Sequence, residues 1–305
     1  MEVGNLTILT EFILVGFPTD PWWQLILFGI FLMLYLITLS GNTTLVFLIH
    51  IDFCLHAPMY FSNSNLSILD FQYASVYSPR ILAICDSEYN CISLAGCGAQ
   101  LFFSCVVAFT ECYLLAAMAY NCHVAICNPG LYSSAISSSL CAAFVAGSYI
   151  GGFLNVIAHT ANTFHLSFCG KNIIDHFLCD APPLGKMSCT DTYVYVKVLL
   201  GVVGFTVLFS ILAILISYVH ILLPILRICS ASGRCKSFST CASHLISVML
   251  FYGSLLFMYS RPNSTYPLER DKVAALFSTM INPLLNHLIY SLRNKDIKEF
   301  FWKAL

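Results

Sequence analysis

The chain has 305 residues, of which 58% are apolar and only 10% charged, with a net charge of −1. Soluble domains average about 45–50% apolar and 25% charged residues, so this composition excludes a water-soluble globular protein and points to an integral membrane protein. A charge this close to zero offers no attraction to nucleic acid, which is set aside as a partner.

No linker, repeat or low-complexity run divides the chain, and it reads as one domain over residues 1–305. The opening residues, MEVGNLTILTEF, lack the basic stretch of a cleaved signal peptide, so the first span is expected to act as a signal anchor. Asn5-Leu6-Thr7 is an N-glycosylation acceptor, which only the lumenal side can use. Residues 1–23 are therefore expected outside the cell. Seven apolar spans follow, at 24–50, 58–83, 95–127, 139–163, 194–226, 236–260 and 271–291. Each exceeds the roughly 20 residues a helix needs to cross a bilayer. The expected fold is an all-α membrane protein, a seven-transmembrane helix bundle over 24–291.

An odd number of spans puts the two ends on opposite sides. Lys and Arg divide evenly between those sides, so the positive-inside rule does not choose an orientation. Cysteines do better. Cys85, Cys91, Cys97, Cys169, Cys179 and Cys189 all fall in segments on the side of Asn5, which fits an oxidising face. Their pairing is left open by the residues alone.

Polar groups inside the spans mark a buried centre. The first span holds Gly41-Asn42, the second Asp70 and the third Glu111, all near mid-depth. Two carboxylates in hydrocarbon need a cation, such as sodium, that holds both ionised, or else form a protonated pair bridged by water. The third span ends in a polar break, Asn121-Cys122-His123. The connection 164–192 carries three cysteines, and Asp175 to Asp180 invites reading as a metal ligand set. A cysteine in a disulfide supplies no thiolate, so a disulfide-held lid is the preferred reading.

Arg227, Arg234 and Lys236 form a short basic loop, either a membrane flank or an edge where a partner docks. In the sixth span Tyr252 and Tyr259 lie two turns apart, and phenols in a span are expected to turn inward. The seventh carries Asn282-Pro283, Asn286-His287 and Tyr290, with a kink expected at Pro283. Beyond it, Ile297, Phe300, Phe301 and Ala304 oppose Lys295, Lys298 and Glu299. Residues 292–305 thus read as a cytoplasmic tail whose short amphipathic helix lies on membrane lipid.

The short runs along these spans, in order, are GN (41–42), PMYF (58–61), NLSILD (65–70), MAY…VAIC (118–127), HFLCD (176–180), SY (217–218), KSFSTCASHL (236–245), FYG (251–253) and LIYSLRNK (288–295). The set resembles the olfactory receptors, a branch of the rhodopsin-like, class A G-protein-coupled receptors, over nearly the whole chain. The resemblance implies a plasma-membrane receptor, not an enzyme, that binds small hydrophobic odorants. It would act through the heterotrimeric G protein of the olfactory stimulatory type and adenylyl cyclase. It also implies a disulfide between Cys97 and Cys179 and a second between Cys169 and Cys189. Asp70 and Glu111 match the family's proposed sodium pocket; no other cofactor is expected.

For the ligand, the resemblance points to the outer half of the bundle. Helical phase then selects Phe103, Ser104, Cys105, Ala108 and Phe109 on the third helix and Val202, Phe205 and Thr206 on the fifth. On the sixth it selects Tyr252, Leu255, Leu256 and Tyr259, and on the seventh Thr279. This mostly apolar set with a few hydroxyls suits a small volatile carrying one hydrogen-bonding group.

Two departures concern activation. Where the family reads MAYDRYVAIC, this chain has Asn121, Cys122 and His123 in place of the acid, the arginine and the tyrosine. The family's NPxxY is Asn286-His287-Leu288-Ile289-Tyr290, without the proline. Tyr218 and His244 complete the expected activation set. A cysteine cannot reproduce a planar five-donor guanidinium, so weakened coupling is expected. The alternative is a folded odorant-binding relic without signalling. A transporter or channel is the remote third reading, because no repeat and no charged pathway is present.

Overall fold

A computed structural model of the chain describes residues 10–16, 20–52, 58–86, 90–127, 137–168, 172–227, 231–259 and 268–293. Among them, long helices follow the expected spans to within a few residues. They are α1 (Pro21–Ile51), α2 (Pro58–Asp86), α3 (Leu94–Cys127), α4 (Ser138–Phe164), α6 (Tyr193–Arg227) and α7 (Ala231–Tyr259), with a short α5 (Ala181–Lys186) before α6. The last span is built in three pieces: α8 (Leu268–Leu276), a π-helical turn (Phe277–Ile281) and α9 (Asn282–Arg293).

Local chemistry sets the helix starts. Asp20 Oδ1 accepts the Trp22 N–H at 2.9 Å, and Pro21 occupies the first turn, where its missing N–H costs nothing. Ser137 caps α4 in the same way, accepting from the Leu140 N–H at 3.2 Å. At Pro283, where a kink is expected, a new α-helical segment begins directly after a π-helical turn. The wide turn Phe277–Ile281 takes up the irregularity, and Pro283 sits in the first turn of a regular α9.

Among the described residues, six helical stretches are long and apolar enough to cross a membrane, the last of them Lys272–Ser291, which runs through α8, the π-helical turn and α9. The exception is α2, which carries Ser62, Asn63, Ser67, Asp70 and Ser78 on its buried face and packs between α1 and α3. The centre of the bundle is α3: 56% of its apolar window is buried, against 17% in α6 and 11% in α1. The outer faces of α1 and α6 are apolar, as lipid contact requires. Close approach of α3 and α4 depends on Gly152, where a Cβ would run into the Thr110 backbone.

A lid closes one end, and it holds a sheet that the sequence reading lacked. Strand β1 (Glu11–Leu14) pairs antiparallel with β2 (Cys91–Ser93) and parallel with β3 (Ile173–Ile174). Phe12 stands edge-on to Phe168 at 5.7 Å, and Phe12, Leu14 and Phe177 are fully buried beneath the sheet. A disulfide joins Cys97 at the start of α3 to Cys179, with the Cα atoms 5.4 Å apart. Cys189 is also disulfide-bonded; Cys169 lies outside the described residues, while Cys85 and Cys91 are free thiols. The Cys179 N–H donates to Gln100 Oε1 at 3.0 Å, and Lys272 pairs with Asp175 at 2.9 Å. Asn5, Arg261 and the tail 294–305 lie outside the described residues, as do the side chains of Arg227, Arg234, Lys236 and Tyr259.

Candidate functional site

Beneath the lid, α3 turns Ser104 and Phe109 into the bundle, with Cys105 and Ala108 half-buried beside them. Thr206 and Tyr252 are buried on α6 and α7, Thr279 is buried in the π-helical turn, and Val202 and Leu255 are half-buried. Phe103, Phe205 and Leu256 correct the phase assignment. They are 57%, 68% and 51% exposed and face the lipid side. Each is the immediate neighbour of an inward residue (Ser104, Thr206 and Leu255), and neighbours on a helix point about 100° apart. Runs chosen as inward as a block therefore include an outward member.

The same region holds groups the sequence reading missed. His159 of α4 is buried, its Nδ1 lies 3.9 Å from Cys105 Sγ, and its ring stands edge-on to Phe109 at 6.1 Å. A lone imidazole in an apolar span was the available signal. Asn155 donates to Tyr113 Oη at 2.7 Å, and Tyr113 lies 3.5 Å from Thr206 Oγ1. Below them, Tyr252 donates to Ser210 Oγ at 2.7 Å, and Ser210 donates to the Thr206 carbonyl at 2.7 Å. The result is a mainly apolar cluster with scattered hydroxyls and one imidazole.

At mid-depth the expected polar centre is assembled. Asp70 and Glu111 are both buried, and the Asn286 amide donates to Asp70 at 3.1 Å. Asn42 donates to the Thr38 carbonyl at 3.0 Å and to that of Pro283 at 3.3 Å, tying α1 to α9. The amide oxygens of Asn42 and Asn286 are buried without a hydrogen-bond donor. Two carboxylates and two spare amide oxygens are the hard donor set that a small cation takes. Among the described residues no group of three or more His, Cys, Asp or Glu side chains is arranged for a metal ion. Gly41 has its own reason: any side chain there would occupy the space of the His287 ring.

At the inner end, the imidazole of His244 (α7) links three helices. Its Nε2–H donates to the Leu115 carbonyl of α3 at 3.0 Å. A carbonyl only accepts, so Nδ1 is the unprotonated nitrogen, and it accepts from Tyr218 Oη of α6 at 2.8 Å. Asn121 is buried and donates to Ser62 Oγ at 3.4 Å, and Cys122 is buried against α7. His123 points elsewhere, with its ring 5.5 Å from that of His220 on α6. Tyr290, Asn286 and His287 are buried on α9.

A lidded bundle of seven spans, with α3 at its axis and a polar centre between α1, α2, α3 and α9, is the architecture of the rhodopsin-like receptors. Squid rhodopsin superposes with a TM-score of 0.73 over 95% of this chain and 82% of its own, at 16% identity. The olfactory receptor family model matches residues 31–305. Olfactory receptor 9G4 of Homo sapiens is 80% identical over 304 residues, covering 100% of this chain and 93% of the human protein. Olfactory receptor 9G19 of Mus musculus is 52% identical over the full length of both. The chain belongs to the olfactory receptor family: a non-enzymatic, multi-pass receptor of the plasma membrane.

Proposed function

We propose that the chain binds small, largely hydrophobic odorants in the outer half of the bundle and passes the signal weakly to the olfactory stimulatory G protein. The observation that carries the ligand half is the cluster of inward-facing side chains under the disulfide-tied lid. There Ser104, Phe109, Thr206 and His159 are buried around half-buried Cys105 and Ala108. Apolar walls supply the affinity, and Ser104, His159 or Thr279 supplies the single hydrogen bond that orients the ligand.

Asp70, Glu111, Asn42 and Asn286 would hold a sodium ion, which neutralises the paired carboxylates and favours the state in which α2, α3 and α9 stay together. The coupling half rests on Asn121-Cys122-His123. Each charge-assisted hydrogen bond is worth about 1.5–3 kcal/mol, and about 1.4 kcal/mol is a factor of ten. Loss of a guanidinium that contacts the G protein therefore lowers coupling by an order of magnitude or more. An odorant-binding chain without transduction is the limiting case of the same reading. Asn5 is proposed as the glycosylated residue of an extracellular N-terminus.

The binding claim is tested on the purified receptor with a panel of neutral volatiles, read as a shift in thermal unfolding. At least one class is expected to raise the transition in the native chain and to fail in Phe109→Trp, which puts a larger ring at the centre of that cluster. A panel that never moves the native protein contradicts the ligand reading.

A further inference from the structure

Two imidazoles at the inner end of the bundle belong neither to the ligand region nor to the polar centre. His123 on α3 and His220 on α6 lie beside each other where these helices pack, with ring centres 5.5 Å apart and ring planes at 57°. His123 is half-buried and His220 exposed. The Cys127 thiol, one turn along α3 from His123, donates to the His220 carbonyl at 3.4 Å and so fixes that turn of α6 against α3. The two helices have 34 and 35 residues. Each is about 50 Å long against a hydrocarbon core of about 30 Å, so their ends project beyond the lipid interior. His123 is one turn from the end of α3 and His220 two turns from the end of α6, within reach of water and dissolved ions. His123 is also one of the residues by which this chain departs from the family stretch, so the pair arises from that departure.

We propose that His123 and His220 form a binding site for a divalent transition-metal ion of the zinc type, held by one nitrogen from each ring and completed by water. With zinc–nitrogen bonds of about 2.0–2.1 Å, two imidazoles on one tetrahedral ion stand with their ring centres about 5–6 Å apart. The observed separation falls in that range, so neither helix has to move to admit the ion. Imidazole nitrogen suits zinc, whereas magnesium and calcium take oxygen ligands, which sets the selectivity of the pair. Among the described residues no third His, Cys, Asp or Glu is arranged with the two rings as a ligand, so water fills the remaining positions. The bound ion holds the inner ends of α3 and α6 at their present spacing. It thereby opposes any bundle state in which those ends part.

The test uses the full-length receptor, purified in detergent, stripped with a chelator and titrated with zinc chloride against a fluorescent zinc indicator in excess magnesium. Zinc affinity is expected to fall about tenfold or more in His220→Ala, and by as much in His123→Tyr. Cys127→Ser is expected to bind zinc as the native chain does. Equal affinity in the native chain and His220→Ala overturns the proposal, as does a loss confined to Cys127→Ser. X-ray absorption at the zinc edge of the native complex decides if a variant fails to fold. Nitrogen and oxygen neighbours at about 2.0–2.1 Å are expected, and a sulfur shell at about 2.3 Å assigns the ion to the thiols and overturns the site.

Discussion

His244 bridges α3 and α6, and removing it takes a buried donor from the Leu115 carbonyl and the shorter acceptor from the Tyr218 phenol. A neutral hydrogen bond contributes about 1 kcal/mol net. His244→Phe is therefore expected to lower stability by about 2–3 kcal/mol in detergent unfolding, and Tyr218→Phe by about 1 kcal/mol. Equal losses from the two variants would show that the Leu115 bond contributes nothing. Gly41 is a second residue-scale case. Gly41→Ala puts a methyl group where the His287 ring sits and is expected to cost about 1–3 kcal/mol. Adding His287→Ala should recover part of that loss, and an unchanged loss in the double variant would refute the packing account. Single residues were also where the sequence was least legible. Hydropathy identifies which helices have an inner face but not which of two apolar neighbours lies on it, so Phe103, Phe205 and Leu256 were placed inward. His159 was passed over because an isolated imidazole carries no spacing.

Whole helices were legible because their signal is summed over many residues: each span is longer than a bilayer requires, and polar residues punctuate its ends. The lid was not. Its strands are four, three and two residues long, and β1 pairs with segments far along the chain. No local pattern announces such pairings. The π-helical turn escaped for a related reason, since proline marks where a helix is weakened but not where the extra residue is accommodated. The Cys97–Cys179 bond closes a separation of 82 residues. Breaking a native disulfide costs about 2–5 kcal/mol. Cys97→Ser/Cys179→Ser is expected to lose stability in that range and to become protease-sensitive within 172–192 first. Unchanged protection there would mean that the β1–β3 sheet, and not the disulfide, holds the lid.

For the molecule as a whole, signalling is a shift between bundle states, and a ligand moves it only by binding one state better. Within this account the sodium ion and the His244 bridge favour the same closed state. A ligand at ten times its dissociation constant adds about 1.4 kcal/mol. Sodium chloride is thus expected to raise the unfolding temperature above that in equal choline chloride, and Asp70→Asn to abolish the difference. A native chain indifferent to sodium would leave the two carboxylates as a protonated pair.

The central claim is that an intact ligand-binding region sits above an impaired cytoplasmic contact. Direct G-protein recruitment to surface-matched native and Cys122→Arg receptors, both exposed to an odorant that binds, tests it most directly. The account predicts recruitment at least tenfold weaker in the native chain, and equal, robust recruitment by the two would contradict it.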